Sequence, residues 1–359
     1  MSLHGLLQFI VAFLAAIRAR AVAAPLNAAY TEEEFLFYLE DSGAVLVIVP
    51  ENEGNNAAEG AAQKLDIPII EAKWKDSDDG VDLSSKFKLE FSSEPCAISQ
   101  VSNHIEDEAL FLHTSGTTSR PKGVPLTQIN LSASVQHIVE AYELGPSDKT
   151  VIILPLFHVH GLMAALLSSL VAGGTVVLPS AGRFSATKFW DDMKTYGSTW
   201  YTAVPTVHQI LLERHKAKPE PNYPSLRFIR SCSASLAPAV LEQLEEAFGA
   251  PVLEAYAMTE ASHQMTSNPL PKYGPRKPGS VGKPTGIELG ILDDNGTLLP
   301  PRQVGEVCIR GLNVTKGYKN NPDANKVAFL FGWFHTGDRG YLDEEGYLCL
   351  TGRIKELIN

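Results

Sequence analysis

The stretch Ala109-Leu110-Phe111-Leu112-His113-Thr114-Ser115-Gly116-Thr117-Thr118-Ser119-Arg120-Pro121-Lys122-Gly123 carries three physical characters in succession. It opens on an apolar run that reads as a strand. It continues as a hydroxyl-rich bend with glycine, and it closes on a lysine. Amides and hydroxyls in such a bend can converge on one anion, and a lysine ammonium adds a point charge suited to phosphate oxygens. The same composition also fits a plain Ser/Thr-rich surface turn. The spacing is not that of a Walker A loop, where Gly-Lys is followed by Ser or Thr. Here Pro121-Lys122-Gly123 intervenes.

Working outward from the bend, helical periodicity covers residues 128–142. Ile129, Val135, Ile138, Val139 and Tyr142 share one face, and Thr127 stands at the N-cap position. Strand-like runs at 151–154, 175–178, 199–203 and 226–229 then alternate with helical stretches at 161–170, 186–196 and 238–248. Pro238 sits in a first turn, where proline is tolerated. This alternation predicts an α/β unit with a largely parallel sheet. Residues 268–284 hold five prolines and three glycines, which predicts a loop or crossover. Beyond it, Asp294-Asn295-Gly296 separates 287–292 from 306–310, and Glu344-Glu345-Gly346 separates 340–342 from 347–350. Those are hairpin signals, so a smaller antiparallel subdomain is expected over 285–350.

Composition narrows the function classes. The chain has 359 residues, 44% hydrophobic and 20% charged, which is enough apolar surface to offset chain entropy and too long for one simple core. A net charge of −11 opposes a general affinity for nucleic acid, so any phosphate must be held by a local device. Cys96, Cys232, Cys308 and Cys349 form no C-x-x-C pair. Neither a zinc ribbon nor a disulfide framework is indicated, and an intracellular compartment is expected. Residues 3–17 are mostly apolar, but Arg18 and Arg20 follow the run and no basic Lys or Arg precedes it. The run is shorter than the roughly 20 residues of a membrane span. It predicts a buried helix, with a targeting segment as the alternative because Ala21-Val22-Ala23 resembles a cleavage site.

Four further segments follow the bend in order. They are Pro155-Leu156-Phe157-His158-Val159-His160-Gly161, Tyr256-Ala257-Met258-Thr259-Glu260, Gly332-Trp333-Phe334-His335-Thr336-Gly337-Asp338 and Gly352-Arg353-Ile354-Lys355-Glu356-Leu357-Ile358. Together with the bend they resemble the motif series of the adenylate-forming (AMP-binding) superfamily, which includes acyl-CoA synthetases, 4-coumarate–CoA ligases, luciferases and peptide-synthetase adenylation domains. Ser119 and Ala257 stand where that superfamily commonly has glycine. The resemblance implies the large N-terminal domain of that fold: layered α/β subdomains with a small antiparallel β subdomain. In this chain it implies a partial first α/β subdomain over 1–100, a subdomain with phosphate bend and acyl pocket over 101–284, the β subdomain over 285–350, and the start of a hinge over 351–359. Members continue for roughly 100 residues as a mobile domain. That domain is expected to be missing here, along with its catalytic lysine and part of the coenzyme A tunnel, leaving the chain poorly active alone.

The implied chemistry is activation of a carboxylate by ATP with Mg²⁺, then thioester formation with coenzyme A. By resemblance Thr114, Ser115, Gly116, Thr117, Thr118, Ser119 and Lys122 hold the polyphosphate. Ser235, Glu254, Ala255 and Tyr256 border the nucleotide. Thr259 faces the α-phosphate, Glu260 takes the metal, Asp338 takes the ribose hydroxyls, and Arg353 reaches ribose or phosphate. His158 becomes a wall between acyl pocket and nucleotide. His158 and His160 have metal-pair spacing, but no third ligand candidate accompanies them, and His160 reads as a satisfied structural histidine.

The acid is expected to be small. Ser231-Cys232-Ser233-Ala234-Ser235-Leu236 replaces the glycine-rich run that lets long acyl groups pass. Ser233, His158 and His263 are expected to meet in one polar site. An apolar tail would leave them unpaired at about 1–3 kcal/mol each, whereas a second carboxylate would pair with them. With residues 182–185 and 200–205, this pattern resembles the plant and fungal oxalate–CoA ligases and implies oxalate. A 4-coumarate-type or medium-chain ligase, and a catalytically impaired nucleotide-binding paralog, are the alternatives. A cytoplasmic or peroxisomal location without a membrane span is expected.

Overall fold

The computed structural model of the chain describes residues 3–51, 55–75, 80–89, 102–114 and 120–354. Ser115, Gly116, Thr117, Thr118 and Ser119, five of the expected phosphate-binding residues, lie outside the described residues. The chain divides into two compact units, one of residues 1–128 with 180–183 and one of 129–179 with 184–359.

In the first unit the apolar N-terminal run is helix α1 (Leu3–Arg18), whose Leu6, Ile10 and Phe13 are buried. Helix α2 (Glu32–Ser42) starts at a capping box between Thr31 and Glu34. Strand β1 (Val47–Pro50), helix α3 (Asn56–Lys64), and strands β2 (Ile69–Lys75) and β3 (Gly80–Phe87) follow. β1 pairs parallel with β2, and β2 antiparallel with β3. Phe35 and Leu39 of α2 pack with Ala58, Ala61 and Ala62 of α3 over Val49 and Ile69. Strands β4 (Glu108–Thr114) and β5 (Lys122–Thr127) form a separate antiparallel pair in which Thr114 faces Lys122. The sequence reading places the helix at 128–142, as found, and assigns no element to 124–126 between it and the bend. β5 occupies that interval, because Val124 and Leu126 are fully buried while Leu110 and Leu112 face them across the pair.

The second unit opens with helix α4 (Gln128–Tyr142). Its main sheet contains β6 (Lys149–Val151), β7 (Thr175–Val177), β8 (Trp200–Ala203), β9 (Phe228–Ser231), β10 (Val252–Met258), β11 (His263–Ser267) and β12 (Lys283–Pro284), in the order β12-β11-β10-β9-β8-β6-β7. The strands from β7 to β10 run parallel, while β11 and β12 are antiparallel additions. Helices α5 (Ser168–Val171), α6 (Phe189–Tyr196), α7 (Pro205–Ala217) and α8 (Pro238–Phe248) supply the crossovers. Alternation along β8 and β9 divides the side chains between two faces. Tyr201, Ala203 and Ile229 enter the apolar core with Trp190, Leu211 and Leu244. Trp200 and Phe228 stack on the other side with Tyr142 of α4. Thr202 and Arg230 occupy that second side too.

Residues 161–170, expected as α-helix, are largely a wide π-helical segment, His160–Leu167. Gly161 explains why the backbone can enter it so closely: a Cβ there would lie 2.4 Å from the Pro155 carbonyl oxygen. The final sheet is antiparallel, with β13 (Glu288–Leu292), β14 (Gly305–Arg310), β15 (Phe334–Leu342) and β16 (Leu348–Arg353) in sequential order. Helix α9 (Pro322–Ala328) precedes β15. Among the described residues Cys232, Cys308 and Cys349 are free thiols. No described helix is long and apolar enough to cross a membrane.

Candidate active site

Within the first unit, Thr114 ends β4 and Lys122 begins β5, both half-buried and paired in register. The strand pairing therefore fixes the two ends of the expected phosphate bend. The remaining expected residues that the structure describes all lie in the second unit.

Glu254, Ala255 and Tyr256 lie buried on β10. Glu254 Oε2 accepts the Gly279 N–H at 3.1 Å, and burial pushes its carboxyl up to about 7. Tyr256 donates its hydroxyl to Asp338 Oδ2. Asp338 faces Arg353 across the β15–β16 pair, and Arg353 Nε donates to Asp338 Oδ1 at 3.1 Å. One buried carboxylate thus joins the aromatic expected near a base to the arginine expected near ribose or phosphate.

After β10 the chain makes a 3-10 turn, Thr259–Ala261. Glu260 is buried there, and Tyr318 donates its hydroxyl to Glu260 Oε1 at 2.8 Å. The backbone also fastens the turn, since the Thr315 N–H donates to the Glu260 carbonyl at 2.7 Å. A buried carboxylate oriented by a phenol is a hard oxygen donor of the kind Mg²⁺ takes. The residues present therefore fit that ion.

The most connected polar cluster centres on a residue the sequence reading did not select. Arg230 on β9 has no solvent exposure. Its Nε donates to Tyr142 Oη at 2.8 Å. One terminal nitrogen reaches His160 Nε2 and Thr202 Oγ1, each at 3.1 Å. The other reaches His263 Nε2 and Gln264 Oε1, each at 3.0 Å. The two imidazoles stack with centroids 5.1 Å apart. Burial, then the Arg230 charge, hold both rings well below the ordinary imidazole range. His160 Nδ1 lies 3.0 Å from Ser233 Oγ.

The histidine touching Ser233 is thus His160, while His158 is exposed and its Nδ1 accepts the His160 backbone N–H at 3.2 Å. Ser233 and Ser235 lie exposed just beyond β9. Ser233 and His263 both hold positive φ, 73° and 111°. Non-glycine residues in such conformations are uncommon and gather at functional sites. Arg230 had one visible signal in the sequence, a charge inside the apolar run Phe228-Ile229-Arg230-Ser231. Thr202 lies in the 200–205 segment noted above but was not itself selected, and neither were Gln264 and Tyr142.

Comparison with known proteins shows the family and the relatives of this chain. Residues 2–319 match the family described as AMP-binding enzyme. An oxalate–CoA ligase of Arabidopsis thaliana is 64% identical over 352 residues, covering 98% of this chain and 68% of that protein. An oxalate–CoA ligase of Saccharomyces cerevisiae is 46% identical over 387 residues, covering 100% of this chain and 68% of the relative. Among solved structures, an O-succinylbenzoate coenzyme A synthetase from Bacillus subtilis in complex with ATP and a magnesium ion superposes with a TM-score of 0.80 at 31% identity, covering 98% of this chain and 68% of that one. The chain thus spans about two thirds of the length of these relatives.

Proposed function

The chain belongs to the AMP-binding enzyme family, and on that premise we propose that it activates oxalate with ATP and passes the oxalyl group to coenzyme A. In the first step a carboxylate oxygen attacks the α-phosphorus, the bond from that phosphorus to the bridging oxygen breaks, and pyrophosphate leaves. In the second the coenzyme A sulfur attacks the acyl carbon and AMP departs. Two anions must meet in the first step, so the protein's task is neutralisation and alignment.

Thr114, Lys122 and the residues between them grip the β- and γ-phosphates in this reading. Thr259 faces the α-phosphate, and Ser235 and Ala255 border the nucleotide. Tyr256 packs against the base, while Asp338 and Arg353 hold the ribose side. Glu260 would hold Mg²⁺, which when bound offsets phosphate charge. His158 forms the wall between acid and nucleotide, and Ser233 with His263 takes the acid.

The observation that carries oxalate is the polar cluster of Ser233, His160, His263 and Arg230. A coumaroyl or aliphatic group seated against it would cover the Ser233 hydroxyl and His263 Nδ1 without pairing them, at about 1–3 kcal/mol each. A second carboxylate satisfies them. The high identity to two oxalate–CoA ligases supports the same choice. The test is ATP–pyrophosphate exchange by the full-length protein with oxalate, malonate, acetate, coumarate and a fatty acid. Oxalate is expected to give the highest kcat/KM. A preference for coumarate or the fatty acid overturns the substrate, and ATP binding without exchange for any acid overturns the activity.

A further inference from the structure

Arg230 raises a question of charge that the roles above do not answer. A guanidinium has five N–H donors and accepts nothing. Here all five are directed to Tyr142, His160, Thr202, His263 and Gln264, and every acceptor is neutral. Among the described residues no carboxylate bonds to it. A buried cation without a counter-charge is costly unless an anion completes its surroundings.

The same bonds determine where the histidine protons lie. Arg230 can only donate, so Nε2 of His160 and Nε2 of His263 must both accept. In a neutral imidazole the proton then sits on Nδ1. The Thr202 hydroxyl is consistent with this. It accepts from Arg230 and lies 2.6 Å from His160 Nε2, to which it donates. His160 Nδ1–H accordingly donates to Ser233 Oγ, and the Ser233 hydroxyl keeps its own proton for another acceptor. Two donors remain for a further acceptor, Ser233 O–H and His263 Nδ1–H, each backed by the same buried charge.

We propose that Arg230 is the positioning and specificity-setting residue of the acyl site: it fixes both imidazoles as Nδ1–H tautomers and supplies the buried positive charge that the non-reacting carboxylate of a small dicarboxylate neutralises. The inference rests on the proposed function for its substrate and on hydrogen-bond geometry for its tautomers. Arg230 acts through His160 and His263 rather than by contact. A monocarboxylate of similar size gains less from the charge, because it lacks the second carboxylate, so the residue discriminates between acids instead of accelerating all of them equally.

The experiment has two arms. In the first, wild-type protein labelled with ¹⁵N-histidine is observed by NMR at neutral pH, the resonances being assigned with His160→Gln and His263→Gln. Both rings are expected to be neutral with the proton on Nδ1. An Nε2–H tautomer or an imidazolium at either ring overturns the positional role. In the second, Arg230→Met and Arg230→Lys are compared in pyrophosphate exchange with oxalate and acetate. Arg230→Met is expected to raise KM for oxalate about 50-fold, the worth of unit charges about 7 Å apart at an effective dielectric of about 20. KM for acetate should rise less than KM for oxalate, kcat should fall less than KM rises, and Arg230→Lys should recover part of the oxalate preference. An unchanged oxalate-to-acetate ratio in Arg230→Met overturns the specificity role. If Arg230→Met does not fold, the same ratio in Arg230→Lys decides: a lysine offers fewer donors, so an undiminished oxalate preference with both tautomers intact overturns the claim that the arginine fork sets it. If the wild type prefers another acid, the substrate reading fails while the tautomer arm still judges the geometry.

Discussion

Glu254 makes stability depend on pH in a direction opposite to that of most carboxylates. It is 5% exposed on β10, and burial raises its carboxyl from 4.5 to about 7. The Gly279 N–H on Oε2 offsets part of that rise. A group with a raised folded-state value contributes its full stability below pH 4.5 and loses it as pH climbs through about 7. At 1.36 kcal/mol per pKa unit the complete effect is about 3 kcal/mol, of which about 2 kcal/mol is lost between roughly pH 5.5 and pH 8.5. Glu254→Gln keeps the shape and an oxygen for Gly279 but removes the titration. The variant should therefore gain about 2 kcal/mol relative to wild type on going from about pH 5.5 to about pH 8.5. Urea unfolding followed by the fluorescence of buried Trp190 and Trp200 measures this. Comparing the two proteins at each pH cancels the titration of every other group. Parallel pH profiles would falsify the argument, because they would mean that Glu254 ionises alike in the folded and unfolded chain.

Two other perturbations test other parts of the architecture. Glu260→Gln retains an acceptor for the Tyr318 hydroxyl but loses the charge that suits a metal; pyrophosphate exchange is expected to fall by about 10²–10³, with the urea midpoint nearly unchanged. Gly282 holds φ 83°, and a Cβ there would lie 1.8 Å from the Ser267 carbonyl carbon. Gly282→Ala should accordingly cost more than about 4 kcal/mol or prevent folding, as read by the same unfolding curves.

What could be read from the sequence was local. Residues 128–142 and 238–248 become helices with the expected bounds because periodicity, a first-turn proline and the following Gly249 all act within a few turns. The hairpins beyond residue 285 likewise announce themselves through short turn signals. The π-helical segment was not legible, because it depends on how near Gly161 comes to the carbonyls of Leu154 and Pro155. Strand β5 was missed because burial on both sides of Val124 and Leu126 requires β4 in place first. Ser233 and His263 were selected by residue type, yet their connection runs through Arg230, 33 positions from His263, and through His160, 73 positions from Ser233. A charge flanked by Ile229 and Ser231 gives no sign of which distant polar groups will satisfy it.

The two ends of the acyl cluster differ in how firmly they are held. His263 follows Ser262, itself at φ 50°, so adjacent residues occupy costly conformations. That segment is clamped on several sides. Ser134 Oγ donates to the Ser262 carbonyl at 2.7 Å, and Ser262 Oγ donates to the Asn313 carbonyl at 2.9 Å. Asn313 Nδ2 in turn donates to the Ala261 carbonyl at 2.9 Å. Ser233 carries comparable backbone strain but is exposed, and its hydroxyl meets the protein through His160. Strain persists where neighbours over-determine it, so His263 is the fixed reference of the cluster and Ser233 the adjustable one. An acid of different length is then accommodated, if at all, by movement at Ser233, and the discrimination against longer dicarboxylates lies in how far that strained residue can shift before it loses the Nδ1–H of His160.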